Sequence, residues 1–291
     1  MAAQKLDGQA LADRVKSQLA QRSAELSQPG VLCREGRPPG LGTILVGDDG
    51  PSARYVAGKH ADCAEIGMAS IHVHLPASST QEQVEAAVAE MNSNPAVDAF
   101  IVQYPIPDGL DYQAAMLAMD PAKDADGLHP VNLGRLVAGE DVPLPCTPNA
   151  ILTLLAEHGV ELPGSHVVIV GRGLTIGRPL ALLAALKRPG ANAAVTVVHT
   201  GVADLAAYTR TADVLVAAAG SPGLITADMV RPGAAVVAAG VTMEGRRVVS
   251  DVDDDVADVA GWLSPRLGGV GPMTRAMLLS NTVDAAAVRA G

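Results

Sequence analysis

Apolar residues recur at helical spacing from the start of the chain: Leu6, Ala10, Leu11, Val15 and Leu19 stand about one turn apart, with polar residues filling the other positions. This pattern predicts an amphipathic helix over residues 5 to 25, ended by the Gly/Pro-rich stretch from Pro29 to Gly42. Leu41 to Val46 then reads as a short buried strand, broken at Gly47-Asp48-Asp49-Gly50-Pro51. Helical periodicity resumes from Ser52, placed as an N-cap, to Gly67, placed as a C-terminal stop. Ile71 to Leu75 alternates apolar residues with His72 and His74, the period of a strand; Gln81 to Met91 reads as a helix and Ala99 to Gln103 as a strand. Residues 120 to 148 are rich in proline and glycine and read as irregular, and a segment of that kind inside a compact protein is usually functional or a domain crossing. A helix from Asn149 to His158 follows. A second run of strands begins at Val167 to Val170 and continues at Val195 to His199, Val214 to Ala218, Ala235 to Ala239 and Arg247 to Val249. A helix from Arg178 to Lys187 lies between the first two strands, and Thr274 to Arg289 forms the last helix. Alternating strands and helices of this kind predict an α/β protein of two domains with parallel sheets.

The composition agrees with that picture. With 291 residues, 48% hydrophobic and 18% charged, the chain suits two packed cores rather than a disordered polymer. A net charge of −10 argues against non-specific nucleic-acid binding, which needs clustered Lys and Arg, so a phosphate-bearing ligand must be met by local positive potential. The N-terminal stretch has charges at helical spacing and no continuous apolar core, unlike a signal peptide, and no apolar run is long enough for a membrane span. Cys33, Cys63 and Cys146 are widely separated, which speaks against a disulfide framework and a zinc site. A cytoplasmic protein is expected.

Candidate chemistry gathers at a few places. His166 to Pro179, HVVIVGRGLTIGRP, runs from a buried strand into Gly171-Arg172-Gly173 and then Thr175-Ile176-Gly177, a strand, tight turn and helix start. Such a turn lets the backbone approach a pyrophosphate held at a helix N-terminus, although the spacing G-x-G-x-x-x-G is weak by itself. Tyr55 and Lys59 stand one helical turn apart and project from one face, placing a phenol beside an ammonium. Short-chain dehydrogenases also use Y-x-x-x-K, but after their dinucleotide loop, whereas here the pair precedes it. Gln103 ends a strand, where ligands of α/β sheets bind. Asp124 and Asp126 lack the later carboxylates of a calcium loop, and suit one aspartate that shapes a turn and one that accepts hydrogen bonds from a ligand. Gly268-Gly269-Val270-Gly271-Pro272 is a second glycine loop before a helix. None of the histidines has a partner at metal spacing, so no metal is expected.

Taken together, VGDDGPSARYVAGKH, IVQYPIPDGL, KDADGLHPVNLGRL, PCTPNAILTLL, VVIVGRGLTIGRP, ADVLVAAAGSPGLI and GGVGPMTRAML resemble, in order and over nearly the full length, the bifunctional methylenetetrahydrofolate dehydrogenase/methenyltetrahydrofolate cyclohydrolase family. The resemblance implies an N-terminal α/β substrate domain and a Rossmann-like dinucleotide-binding domain with a cleft between them. Residues 1–145 plus 274–291 would form the folate and catalytic domain, and residues 146–273 the NADP-binding domain. It implies that Tyr55 stacks on the folate's aminobenzoate ring, that Lys59 is central to the cyclohydrolase step and that Gln103 hydrogen-bonds and tunes it. Asp126 would anchor the pterin, with Gly269, Val270, Gly271 and Pro272 lining its pocket and Ser52 in a supporting role. Gly171, Arg172, Gly173, Thr175, Ile176, Gly177, His199, Thr200 and Val241 would hold the cofactor. Tetrahydrofolate derivatives as substrates and a homodimeric assembly follow from the same resemblance.

Cofactor choice has a physical argument of its own. NAD-specific units place an acid at the end of the second strand to bind ribose hydroxyls, whereas here His199 and Thr200 occupy that place and the first acid is Asp204. Arg172 can pair with a 2′-phosphate, so NADP is expected. The chain departs from the family at Gly173, where many members have serine, at His199-Thr200-Gly201, which is less basic than usual, and at Leu267, where proline is usual. Two rivals stand beside this reading: an NADP-linked oxidoreductase acting on a non-folate substrate, and a non-catalytic nucleotide-binding protein.

Overall fold

The computed structural model describes residues 2–31, 36–245 and 247–290, so Cys33 lies outside the described residues. In chain order the elements are β1 (Gln4–Lys5), α1 (Gly8–Leu26), β2 (Gly40–Val46), α2 (Gly50–Glu65), β3 (Ala69–Leu75), α3 (Gln81–Ser93), β4 (Ala99–Val102), α4 (Tyr112–Ala118) and α5 (Pro130–Val137). There follow α6 (Cys146–Glu157), β5 (His166–Val170), α7 (Gly177–Ala185), β6 (Ala194–Val198), α8 (Ala206–Thr209), β7 (Val214–Ala217), β8 (Ala235–Ala238), β9 (Val241–Glu244), β10 (Arg247–Ser250), β11 (Trp262–Leu263) and α9 (Val270–Ala290). They form two compact units, Asp13–Leu144 with Arg275–Gly291, and Met1–Ala12 with Pro145–Thr274, called below the N-terminal and central units.

The N-terminal unit is built on a parallel sheet of order β3-β2-β4. β2 is buried along its whole length, as expected of a middle strand covered on both faces. On the edge strand β3, Ile71, Val73 and Leu75 pack against the core while His72 and His74 take the other face, the alternation present in the sequence. The core gathers Ile44, Val46, Val84, Val88, Met91 and Phe100, the α3 residues supplying one apolar stripe. Thr80 and Gln83 close the start of α3 with a reciprocal capping box. At its other end the buried Lys123 donates to Met91 O and Asn94 O, at 2.8 and 3.0 Å.

The sheet of the central unit runs β1-β11-β8-β7-β5-β6, parallel throughout. Val168, Val170, Leu215, Val236 and Ile225 are among the residues of its core.

Several expectations from the sequence are corrected. Residues 5 to 7 are not helical: Gln4 and Lys5 pair with Trp262 and Leu263, and α1 begins at Gly8, with Asp7 Oδ1 accepting from the backbone N–H of Gln9 and Ala10. Residues 1–12 therefore belong to the central unit, not to the unit formed by residues 13–144. Asp49, not Ser52, caps α2: its Oδ2 accepts from Ser52 N at 2.9 Å, and Pro51 is tolerated in the first turn because no N–H is needed there. The stretch from 120 to 148 contains α5, capped by His129 Nδ1 accepting from Val131 N at 3.1 Å. Arg247–Ser250 forms a strand but pairs antiparallel with β9, apart from the main sheet. Val270, Gly271 and Pro272 lie in the first turn of α9 rather than in a loop before it.

Candidate active site

α2 presents a stripe of buried residues, Ser52, Val56, Lys59, Asp62 and Cys63, at helical spacing, and two of them are charged. Burying an ammonium costs several kcal/mol unless polar partners meet it. For Lys59, 5% exposed, one partner is Gln103: Nζ donates to Oε1 at 3.0 Å. The Tyr55 ring is another, its centroid 4.9 Å from Nζ, within range of a cation–π attraction. Gln103 stands just beyond β4, with its backbone N–H on Ile44 O at 2.8 Å, so the sheet fixes its place. Its Nε2 donates to Tyr104 O at 2.7 Å, which leaves Oε1 as the atom turned to the lysine. Tyr55, Lys59 and Gln103 thus form one constellation at the carboxyl end of β4.

Asp62 is a neighbour that the sequence reading passed over. Its carboxylate receives Arg275 Nε at 2.6 Å and Lys16 Nζ at 3.5 Å, tying α2 to α1 and α9 within the N-terminal unit one turn from Lys59. The signal was present as an acid three residues after Lys59, on the same helix face. Burial, then the Asp62 charge, pushes the Cys63 thiol up to about 12, so it is a poor source of the thiolate that nucleophilic chemistry needs. Burial, then the charges of His72 and Lys59, holds His60 below the usual histidine range.

The two aspartates of the KDADG stretch differ in environment. Asp124 is buried and accepts from Gly127 N at 3.0 Å, His129 N at 2.8 Å and Asn132 Nδ2 at 3.0 Å, so its oxygens are spent on the turn. Asp126 is half-buried near Tyr112, whose phenol is pushed up by burial and by the charges of Asp126 and Asp124. Asp124 also forms a parallel bridge with Phe100 of β4, so this segment starts toward the sheet edge at which Gln103 lies.

In the central unit the glycine turn has steric reasons for two of its glycines. A Cβ on Gly171, which has φ of 129°, would lie 2.1 Å from Ala218 O, and one on Gly177 would lie 2.2 Å from Gly171 O. At Gly173 nothing stands within 4 Å, so a serine there is not excluded by space. α7 starts behind Ile176 with no side-chain cap; in its first turn Pro179 has no N–H, and Arg178 N and Leu180 N donate to Gly173 O at 3.1 Å and Ile176 O at 2.8 Å, so Gly177 supplies the N–H that can meet an anionic ligand there. A closely packed turn ahead of an uncapped helix fits a dinucleotide. Arg172 is exposed and has no ion-pair partner among the described residues. Beyond β6, His199 Nδ1 accepts from Gly201 N at 3.0 Å, Thr200 is exposed, and the first carboxylate, Asp204, accepts from Ala207 N at 3.1 Å. Val241, half exposed, opens β9. Gly269, Val270, Gly271 and Pro272 belong to this central unit, whereas Tyr55, Lys59, Gln103 and Asp126 belong to the N-terminal one. Among the described residues no group of His, Cys, Asp and Glu can hold a metal, and no helix is long and apolar enough to cross a membrane.

Comparison with known proteins extends this geometry. Residues 6–126 match the family model for the tetrahydrofolate dehydrogenase/cyclohydrolase catalytic domain, and residues 145–290 that for the NAD(P)-binding domain of the same family. The bifunctional protein FolD of Syntrophotalea carbinolica is 55% identical over 290 residues, covering 100% of this chain and 98% of its own. The crystal structure of the bifunctional enzyme FolD, a methylenetetrahydrofolate dehydrogenase/cyclohydrolase from Campylobacter jejuni, superposes with a TM-score of 0.92 at 37% identity, over 99% of this chain and 100% of that one. The Trypanosoma brucei enzyme, complexed with NADP cofactor and an inhibitor, gives 0.91 at 38% identity over 98% of each chain. With residues 6–126 and 145–290 matched by the family's two domain models, this chain belongs to the tetrahydrofolate dehydrogenase/cyclohydrolase family of NAD(P)-binding enzymes.

Proposed function

We propose that this chain oxidises 5,10-methylenetetrahydrofolate to 5,10-methenyltetrahydrofolate with NADP and hydrolyses that product to 10-formyltetrahydrofolate, a pair of steps in one-carbon metabolism. The observation that carries the assignment is the buried Lys59 Nζ held at 3.0 Å by Gln103 Oε1 beside the Tyr55 ring. An amine so placed can take and return protons where water has been excluded, and the flat phenol beside it suits an aromatic substrate ring.

In the hydrolytic step, water adds to the methenyl carbon. Lys59, acting as the neutral amine, accepts one proton of the water as the carbon–oxygen bond forms and returns it to the substrate nitrogen as the carbon–nitrogen bond of the ring breaks, while the hydroxyl proton of the adduct leaves to solvent as the formyl carbonyl forms. Gln103 fixes the direction of the lysine, Tyr55 packs on the substrate ring, and Asp126 anchors the pterin by accepting its N–H groups. The resemblance adds Gly269, Val270, Gly271 and Pro272 to the folate contacts. Gly171, Arg172, Gly173, Thr175, Ile176, Gly177, His199, Thr200 and Val241 would hold the nucleotide, Arg172 meeting its 2′-phosphate. When bound, the oxidised nicotinamide supplies a hydride acceptor for the methylene carbon. No side chain need act as base in that step, because the methenyl cation is delocalised over the two substrate nitrogens, and the protein's part is to orient the reactants.

The same reading carries a homodimer in the cytoplasm without nucleic-acid or membrane partners; the net charge of −10 supports the exclusion of nucleic acid, and sedimentation velocity tests the dimer. The central experiment follows methenyl formation and decay spectroscopically, with NADP and then with NAD. Faster turnover with NADP is expected, and a clear preference for NAD would overturn the role of Arg172. Lys59→Ala is expected to form the methenyl compound and fail to hydrolyse it; normal hydrolysis would remove Lys59 from the mechanism.

A further inference from the structure

Asp251, just past β10, is fully buried and has no salt-bridge partner among the described residues. Its charge is met by consecutive backbone donors: Ala219 N and Gly220 N reach Oδ2 at 2.6 and 2.9 Å, and Ser221 N reaches Oδ1 at 2.7 Å. Those donors form the loop that leaves the carboxyl end of β7. The same loop begins with Ala218, whose carbonyl closes on Gly171 so tightly that a Cβ there would lie 2.1 Å away. Asp251 also receives the segment that leaves β8: its N–H donates to Gly240 O at 3.1 Å, and a Cβ on Gly240 would lie 1.9 Å from Oδ2. Val241, one of the residues assigned to the nucleotide, is the next residue. One residue thus fastens both loops, the one after β7 through its carboxylate and the one after β8 through its backbone N–H, with the carboxylate packed on Gly240, and the first of these loops abuts the turn after β5. In an open parallel sheet, ligands collect at these strand ends.

We infer that Asp251 is a positioning residue of the nucleotide site, one that holds Ala219–Ser221 and Gly240–Val241 in register with the Gly171 turn; this rests on the NADP reading above. It has a second effect. The N–H groups of residues 219–221 would suit a phosphate, and by taking them Asp251 leaves the Gly171–Gly177 turn as the seat for the pyrophosphate. Nothing in the sequence singles it out, since it stands beside Asp253, Asp254 and Asp255 with no motif around it.

The test exploits the two activities of one chain. In Asp251→Asn an amide replaces one acceptor oxygen with a donor, which faces backbone N–H groups, while the volume stays the same. The dissociation constant for NADPH, read from the nucleotide's own fluorescence, is expected to rise about tenfold or more, with KM for NADP rising more than kcat falls. Hydrolysis of methenyltetrahydrofolate without nucleotide should stay within about twofold of the parent, since Tyr55, Lys59 and Gln103 lie in the other unit. Gly240→Ala, which displaces the same carboxylate, should weaken NADPH in the same direction, and decides the matter if Asp251→Asn does not fold. Unchanged NADPH affinity in both variants, or hydrolysis lost in parallel with NADPH binding, would overturn the inference. A parent chain that bound no NADPH would overturn the NADP reading beneath it as well.

Discussion

Gln103 contributes a single neutral oxygen to Lys59, and that oxygen is aimed by the hydrogen bond from its own amide nitrogen to Tyr104 O. Removing it should leave the lysine buried but undirected. Gln103→Ala is therefore expected to slow hydrolysis of the methenyl compound by roughly one hundred-fold, within the range for a positioned proton-transfer group, while the binding constant for NADPH is unchanged. Equal losses in both measurements would point to a general collapse instead. A different buried lysine makes a prediction about stability. Lys123 is 2% exposed and its pKa is lowered to about 8, by burial first and then by the Arg289 charge. At this residue the unfolded chain keeps the ordinary value of 10.5, so between about pH 8 and 10.5 it binds more protons than the folded chain, and the Lys123 contribution to stability rises with pH across that window, opposed above about pH 9 by the Cys63 thiol, which the folded chain keeps protonated. Below pH 8 the folded protein carries a buried ammonium; above it the neutral amine still has two hydrogens for Met91 O and Asn94 O. Urea titrations at pH 7.5 and 10 should give a change in stability that is more positive in the parent than in Lys123→Met.

The glycine turn and α7 work as one element, since Gly171, Gly173 and Gly177 position the first turn of the helix. Gly177→Ala would drive a methyl carbon to 2.2 Å from Gly171 O, so the turn must open. Loss of NADPH binding by at least about tenfold is expected, with hydrolysis retained; calorimetric titration at matched protein folding would check it. Gly173→Ser, with nothing within 4 Å of its Cβ, should bind NADPH much as the parent does. Elements of this length were legible in the sequence because their burial has a period: β2 and β5 as apolar runs, β3 as an alternation, α3 as a stripe. β1 and β11 were not, since two residues each carry no period and their pairing partners are remote in sequence. The start of α2 was misread by three residues because Asp49 and Ser52 are both good caps, and only the direction of the hydrogen bond separates them. Within the candidate site, Tyr55, Lys59 and Gln103 were found through spacing and strand-end position, whereas Asp62 and Asp251 act through partners far along the chain.

At the scale of the whole molecule, each unit is assembled from separated stretches of chain. An excised segment of residues 145–274 would leave Trp262–Leu263 as the outer edge of its sheet, with unpaired backbone groups ready to join another copy. Such a segment is expected to self-associate in size-exclusion chromatography, and addition of a peptide covering residues 2–12 should reduce this; a monomeric segment that ignored the peptide would count against the outer strand's importance. The pairing of Gln4–Lys5 with Trp262–Leu263 also sets a timetable for biosynthesis. The first strand leaves the ribosome long before its neighbour exists, and at ordinary rates of synthesis it waits on the order of tens of seconds. The N-terminal unit waits longer still, because Arg275 and the rest of α9 come later. Neither unit can complete its packing until its late segment has emerged, so a folding helper that shields the early segment would find its substrate there.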